Sequence, residues 1–108
     1  MTAAATDSVA QDVWKVAPKN ATLLEDTAGV KMILVTWNPG EEMAMHTHPT
    51  HMLYVIQGGQ LTINHKDGKS MVLDVKDGES MAMPAEGLHS TKNTGKSQVK
   101  AVLIEIDK

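Results

Sequence analysis

Apolar and polar residues alternate in short runs along most of this chain, and each run is closed by Gly, Pro, Asn or Asp. A period of two puts every second side chain on one face of a sheet, and the runs are rich in Val, Ile, Leu and Thr, which suit strands. Strands are predicted at 21–25, 30–37, 43–48, 51–57, 60–65, 70–75, 80–84, 88–93 and 99–106. Little of the chain has helical periodicity. The run from Met52 to Ile56 is apolar at every position and predicts a central strand covered on both faces, as does Val99 to Ile106.

The turns have a chemistry of their own. Asp67-Gly68 reads as a two-residue type I′ hairpin loop, because glycine accepts positive φ without strain. Pro39-Gly40, Gly58-Gly59, Asp77-Gly78 and Thr94-Gly95 punctuate the other connections. Residues 1–12 carry too few large apolar groups to offset the entropy of ordering them and are expected to form a flexible tail. Residues 13–108 make one all-β domain, a sandwich or a barrel, with an immunoglobulin-like sandwich as the plain alternative.

Composition narrows the function. There is no cysteine, so disulfides and thiolate metal sites are excluded and an ion must be held by nitrogen and oxygen. The formal charge of −3 offers no footprint for nucleic acid or an anionic membrane. Every basic residue is lysine, which disfavours a bidentate phosphate or dicarboxylate clamp and favours a small, weakly polar ligand. No run has the length of a membrane span, and the first residues lack the basic and apolar regions of an export signal. A cytoplasmic protein is expected, or a periplasmic one if a native signal has been removed.

Three histidines crowd into His46-Thr47-His48-Pro49-Thr50-His51, and a fourth, His89, follows Pro84-Ala85-Glu86-Gly87. Imidazole is the commonest protein metal ligand, and the i, i+2 spacing aims His46 and His48 at one point. The same parity sends Met43 and Met45 to the outer face and sets Leu53, Val55 and Gln57 on the face of His51. Gln57 and Tyr54 are the nearest polar groups able to orient a ligand, although parity favours packing for Tyr54. Trp37 reads as a core or interface residue. Asn93 reads as a structural amide satisfying a turn, and Glu41-Glu42 as turn residues near the barrel mouth. His65 stands beside a turn with nothing converging on it and is expected in solvent. No nucleophile motif is present, so catalytic residues are not identified.

The spacing of Gly40, five residues, His46-x-His48, then His51, six residues and Gly58 resembles the first motif of the cupin family. Gly78, five residues, Pro84, a glycine, His89, three residues and Asn93 resembles the second. The sequence departs from the family in two places. His51 stands where a glutamate is usual, so the carboxylate ligand is missing, and Gly87 comes one residue late. The resemblance is closer to small bacterial cupins with four histidine ligands. It implies a jelly-roll barrel in which His46, His48, His51 and His89 bind one divalent transition metal, whether Mn, Fe, Zn, Ni or Cu. Four neutral ligands leave an octahedral ion two open positions and its full charge, which acidifies bound water.

The resemblance implies a metal-dependent enzyme acting on a small organic molecule, dioxygenase-like with Fe(II) or Mn(II). A non-redox isomerase, lyase or cyclase is the first alternative, needing a general base that the sequence does not supply. A small-molecule-binding cupin without turnover is the second. A homodimer is expected, with residues 13–35 supplying the contact.

Overall fold

The computed structural model describes residues 12–106. The expected tail therefore lies outside the described residues apart from Asp12, which bridges to Thr47 and whose carbonyl accepts the N–H groups of Lys15 and Val16. One short helix, α1 (Val13–Val16), precedes nine strands. They are β1 (Ala21–Thr27), β2 (Val30–Trp37), β3 (Glu42–His48), β4 (His51–Gln57), β5 (Gly59–His65), β6 (Ser70–Val75), β7 (Ser80–Met83), β8 (Glu86–Asn93) and β9 (Val99–Ile106). Each predicted strand is present, with ends that move by two residues at most.

The strands form a five-stranded sheet in the order β1-β2-β9-β4-β7 and a four-stranded sheet in the order β3-β8-β5-β6, both antiparallel. From β2 to β5 and again from β6 to β9, each strand sits in the sheet opposite its predecessor. This is an all-β jelly roll. Its core lies between the sheets, where Ile33, Val35 and Trp37 of β2 and Val99, Ala101 and Leu103 of β9 meet Met43, Leu61 and Val75 from the other side. The alternation along β9 runs one step further than its apolar residues do, because Glu105 occupies the next inward position and is only 2% exposed.

Several local expectations are corrected. Met43 is buried in the core and only Met45 is exposed, because β3 is bulged: Met43 and His46 are three positions apart, whereas their partners Thr91 and His89 are two apart. The extra residue reverses the parity on which the outward placement of Met43 rested. The strand Met52 to Ile56 is not covered on both faces, since Met52, Tyr54 and Ile56 are exposed on the outside of the five-stranded sheet. Asp67-Gly68 is not a two-residue I′ loop. The Gly68 N–H bonds to the His65 carbonyl, His65 N–H to the Lys69 carbonyl, and only Gly68 has positive φ, which makes a three-residue loop with a glycine bulge. The I′-like turn of this chain is Ala28-Gly29, which joins β1 to β2 with φ of 51° and 80°.

Candidate metal centre

One end of the jelly roll gathers all four motif histidines. His46 and His48 end β3, His51 opens β4, and His89 lies in β8 directly opposite His46. All four are buried. Ring centroids are 4.4 Å apart for His46 and His89, 4.8 Å for His46 and His48, 5.3 Å for His48 and His89, and 4.7 Å for His48 and His51. The bulge in β3 produces this convergence: it returns His46 to the inner face, and a second irregularity sets His48 opposite Glu86.

Each ring is aimed by its Nδ1. In His46, His51 and His89 this atom lies 2.6, 2.8 and 2.7 Å from the carbonyl two residues back, at Ala44, Pro49 and Gly87. A carbonyl can only accept, so Nδ1 carries the proton and Nε2 of the neutral ring keeps its lone pair. His48 achieves the same orientation differently, donating from Nδ1 to the Glu105 carboxylate 2.6 Å away. A neutral imidazole whose other nitrogen is tied to a carbonyl or carboxylate is the form a metal takes.

Burial keeps the His46 and His48 rings neutral. Desolvation pushes His46 down to about 3, with the neighbouring His48, His89 and His51 acting in the same direction against the bond to Ala44. Desolvation likewise pushes His48 down to about 3, helped by His51 and His89 and opposed by the Glu86 carboxylate. The Glu105 contact favours a charged ring, but it is already satisfied by the single Nδ1 proton, so the neutral form stands.

Ligand atoms of His46, His48 and His89 lie within 4.8 Å of one another, and this trio can hold a metal ion. The fit is good in donor type: three buried imidazoles, each with its Nδ1 committed elsewhere. His51 sits beside the trio without belonging to it. The cavity they face is about 60 Å³ and otherwise almost wholly apolar, walled by Trp37, Met43, Leu53, Ile63, Met81 and Leu103.

Other expectations fare variously. Tyr54 and Gln57 do not line the cavity; both are exposed, Tyr54 on the outer face and Gln57 at the far end of β4. Glu41 and Glu42 stand at the opposite end of β3 from His48 and do not reach the cavity, Glu41 bonding Asn20, Asn38 and Lys19. His65 is half-buried, not in solvent, with its ring 6.1 Å from that of His89, because it continues the inward series of Leu61 and Ile63. Asn93 is structural as expected, donating to the Trp37 and Ser97 carbonyls and accepting from the Gly95 N–H. Two carboxylates were missed. Glu105 was signalled by the alternation of β9, whereas Glu86 reaches the cavity through irregular pairing that periodicity does not reveal.

Residues 33–105 match the family model described as a cupin domain. The chain belongs to the cupin family. Among solved structures, this cupin is similar to a cupin domain from Bordetella pertussis Tohama I, with 25% identity, a TM-score of 0.74, and coverage of 82% of this chain and 92% of that one. It is also similar to an RmlC-like cupin with a double-stranded β-helix fold from Methanocaldococcus jannaschii, with 18% identity, a TM-score of 0.65 and coverage of 81% and 78%. An oxalate decarboxylase described for proton-coupled electron transfer shares the fold at 22% identity and a TM-score of 0.60, over 81% of this chain and 25% of its own. No curated protein sequence matches this cupin. Among the described residues no helix is long and apolar enough to cross a membrane.

Proposed function

We propose that this cupin is a metal-dependent enzyme that acts on a small organic molecule in dioxygenase-type chemistry with Fe(II) or Mn(II). The observation that carries the reading is the segregation of the cavity: His46, His48 and His89 present ring nitrogens at one end, and apart from His51, Glu86 and Thr91 the remaining wall is apolar. A redox-active ion held there supplies electron transfer and polarises a chelating group. The apolar wall receives the substrate's hydrocarbon part and excludes water, and the absence of lysine from the lining favours a head group that chelates without a full carboxylate charge. At about 60 Å³ the cavity is far below the roughly 300 Å³ of a drug-sized site, which favours a small substrate. Redox chemistry on this fold has a counterpart in the oxalate decarboxylase neighbour.

Oxygen uptake by protein reloaded with Fe(II) or Mn(II), assayed with small diketones, thiols and catechols, tests the reading. Consumption that depends on both metal and substrate supports it, and no uptake with any pairing overturns it. A non-redox isomerase or lyase is the second reading, and one observation favours it. It needs a carboxylate at the cavity to move a proton, and Glu86 lines that cavity. Turnover with zinc or nickel in the absence of oxygen is its signature.

The partner we propose for the outer face of the five-stranded sheet is a second copy of the chain. Val30 and Met32 of the expected segment contribute, but the exposed apolar face extends beyond it to Met52, Tyr54 and Ile56 of β4. Val13 is excluded from the contact because it is fully buried in the domain's own core.

A further inference from the structure

The connection at residues 76–79 joins the end of β6 to the start of β7, two strands that belong to opposite sheets. Each is the last strand of its sheet, and among the described residues no strand pairs with its outer edge. The sheets are therefore tied together at that connection, and the gap between the two edges opens towards the other end of the strands. That end is where the histidines stand, since Met83 of β7 pairs with His51 of β4.

Exposure follows this geometry. Alternation puts Met71, Leu73 and Val75 on the inner face of β6, where Met71 pairs with Ile63 and Leu73 with Leu61, both cavity residues. Val75 is 5% exposed, Leu73 half-buried and Met71 49% exposed, so the inward-facing series emerges into solvent as it nears the histidine end. The row of His46, His89 and His65 across β3, β8 and β5 has no member on β6 at all. Of the residues that line the cavity, only Leu53, Leu73, Met81, Met83 and Glu86 are half-buried, and the others are buried. Three of these five belong to β6 and β7. No charged side chain shares the inner face of either strand: Asp74 lies on the opposite face of β6, and β7 has none. Methionine is unbranched and changes rotamer without moving the backbone, so it fills a gap that it can also vacate.

We propose that the way into the histidine cavity runs between the outer edges of β6 and β7, and that Met71, Met81 and Met83 are its specificity-determining residues. They admit a small uncharged molecule by its apolar part and hold back bulkier ones. What that molecule meets inside rests on the metal-dependent reading above, whereas the passage itself rests on the two strands alone.

Chemical modification of His46, His48 and His89 in metal-free protein, resolved by peptide mass spectrometry, reads access to their rings. Two reagents of the same chemistry and different girth are compared, diethyl pyrocarbonate and di-tert-butyl dicarbonate, each rate being divided by that of free N-acetylhistidine. The variants are Met71→Ala, Met83→Ala and, from the outward face of β6, Val72→Ala, each first shown to be folded by circular dichroism. Met71 is 49% exposed, so its replacement leaves the core intact. Wild type should react with the smaller reagent and be spared by the larger. Met71→Ala and Met83→Ala should each raise the rate with the larger by at least about threefold, because alanine leaves open the gap that the thioether chain fills. Val72→Ala should match wild type. A variant that shows no rise removes its methionine from the set, and no rise in both, or an equal rise in Val72→Ala, overturns the passage. Equal relative rates for the two reagents in wild type overturn the selectivity. None of these rates needs a metal, so protein that binds no ion would sink the metal-dependent reading and leave the passage standing.

Discussion

His48 on β3 donates from Nδ1 to the carboxylate of Glu105 on β9, 2.6 Å away, and so joins the two sheets at the end that holds the candidate metal centre. The other three rings are oriented from within their own strands, by carbonyls two residues back. His48 is thus the one of the four histidines whose aim depends on how the sheets pack. Glu105 is paired in register with His51 across β4 and β9, so it also lies beside the start of the strand that carries the fourth histidine.

Glu105→Ala is expected to weaken metal binding by roughly 10- to 100-fold, the usual cost of losing a carboxylate that orients a ligand histidine. It also leaves a buried N–H without its acceptor, costing about 1–3 kcal/mol of stability. Glu105→Gln keeps an acceptor oxygen and should lose less on both counts. Metal titrations and urea midpoints of the two variants check this, and equal metal affinity in wild type and Glu105→Ala would remove the positioning role.

The metal-free protein should lose stability on mild acidification. His46 and His48 are held at about 3 in the fold against an ordinary value of 6.5. Between those values the unfolded chain takes up protons that the folded one refuses, so the stabilisation is fully present above pH 6.5 and falls as the pH drops towards 3. The slope approaches about 1.4 kcal/mol per pH unit for each such histidine. Urea midpoints at pH 7.5, 6 and 5 measure it. A flat profile across that range would show that the rings are charged or exposed.

The strands were readable because β2 and β9 keep strict alternation, with Ile33, Val35 and Trp37 facing Val99, Ala101 and Leu103. The four histidines were readable because they cluster at family spacing. What parity concealed was the bulge in β3, since an extra residue shifts every later side chain to the other face while leaving composition unchanged. That shift accounts for Met43 in the core, and the second irregularity accounts for Glu86 at the cavity. Glu105 was available to a stricter reading, as a charged residue in an inward position. The apolar run of β4 misled for another reason: a strand with both faces apolar is covered on both only if something in the same chain packs outside it, and here only solvent reaches Met52 and Tyr54 in the single chain.

Ala28 is the one described non-glycine residue with positive φ, at 51°. A side chain with a Cβ in this left-handed region is disfavoured by about 1–2 kcal/mol, and asparagine and glycine are the residues that tolerate it. Asn-Gly is the preferred pair for a two-residue turn of this kind. Ala28→Asn should therefore stabilise the β1–β2 hairpin by about 0.5–1 kcal/mol, read as a higher melting temperature with unchanged metal binding. An unchanged or lower melting temperature would mean that the turn relaxes in solution.

The register of the five-stranded sheet stacks its outward residues into apolar rows. Leu34, Val102 and Tyr54 form one, Met32, Ile104 and Met52 the next, and Val30 and Ile106 a third. Tyr54 is 52% exposed and Met52 46%, and charge enters only at the rim, with Lys100 and Glu25. An exposed apolar face with an uncharged centre and a charged rim has the composition of an interface. A groove of about 380 Å³ beside Tyr54, bounded by Met52, Ala82, Val102 and Ile104, can receive a side chain of the facing copy. Because a two-fold contact is self-complementary, one substitution acts twice. Light scattering should give twice the 11.7 kDa chain mass for wild type and the chain mass for Tyr54→Lys, with Val72→Lys on exposed β6 remaining dimeric as the control. Wild type should also melt at a temperature that rises with protein concentration, and Tyr54→Lys should not. A wild-type mass of one chain at high micromolar concentration would exclude the second copy as the occupant of this face.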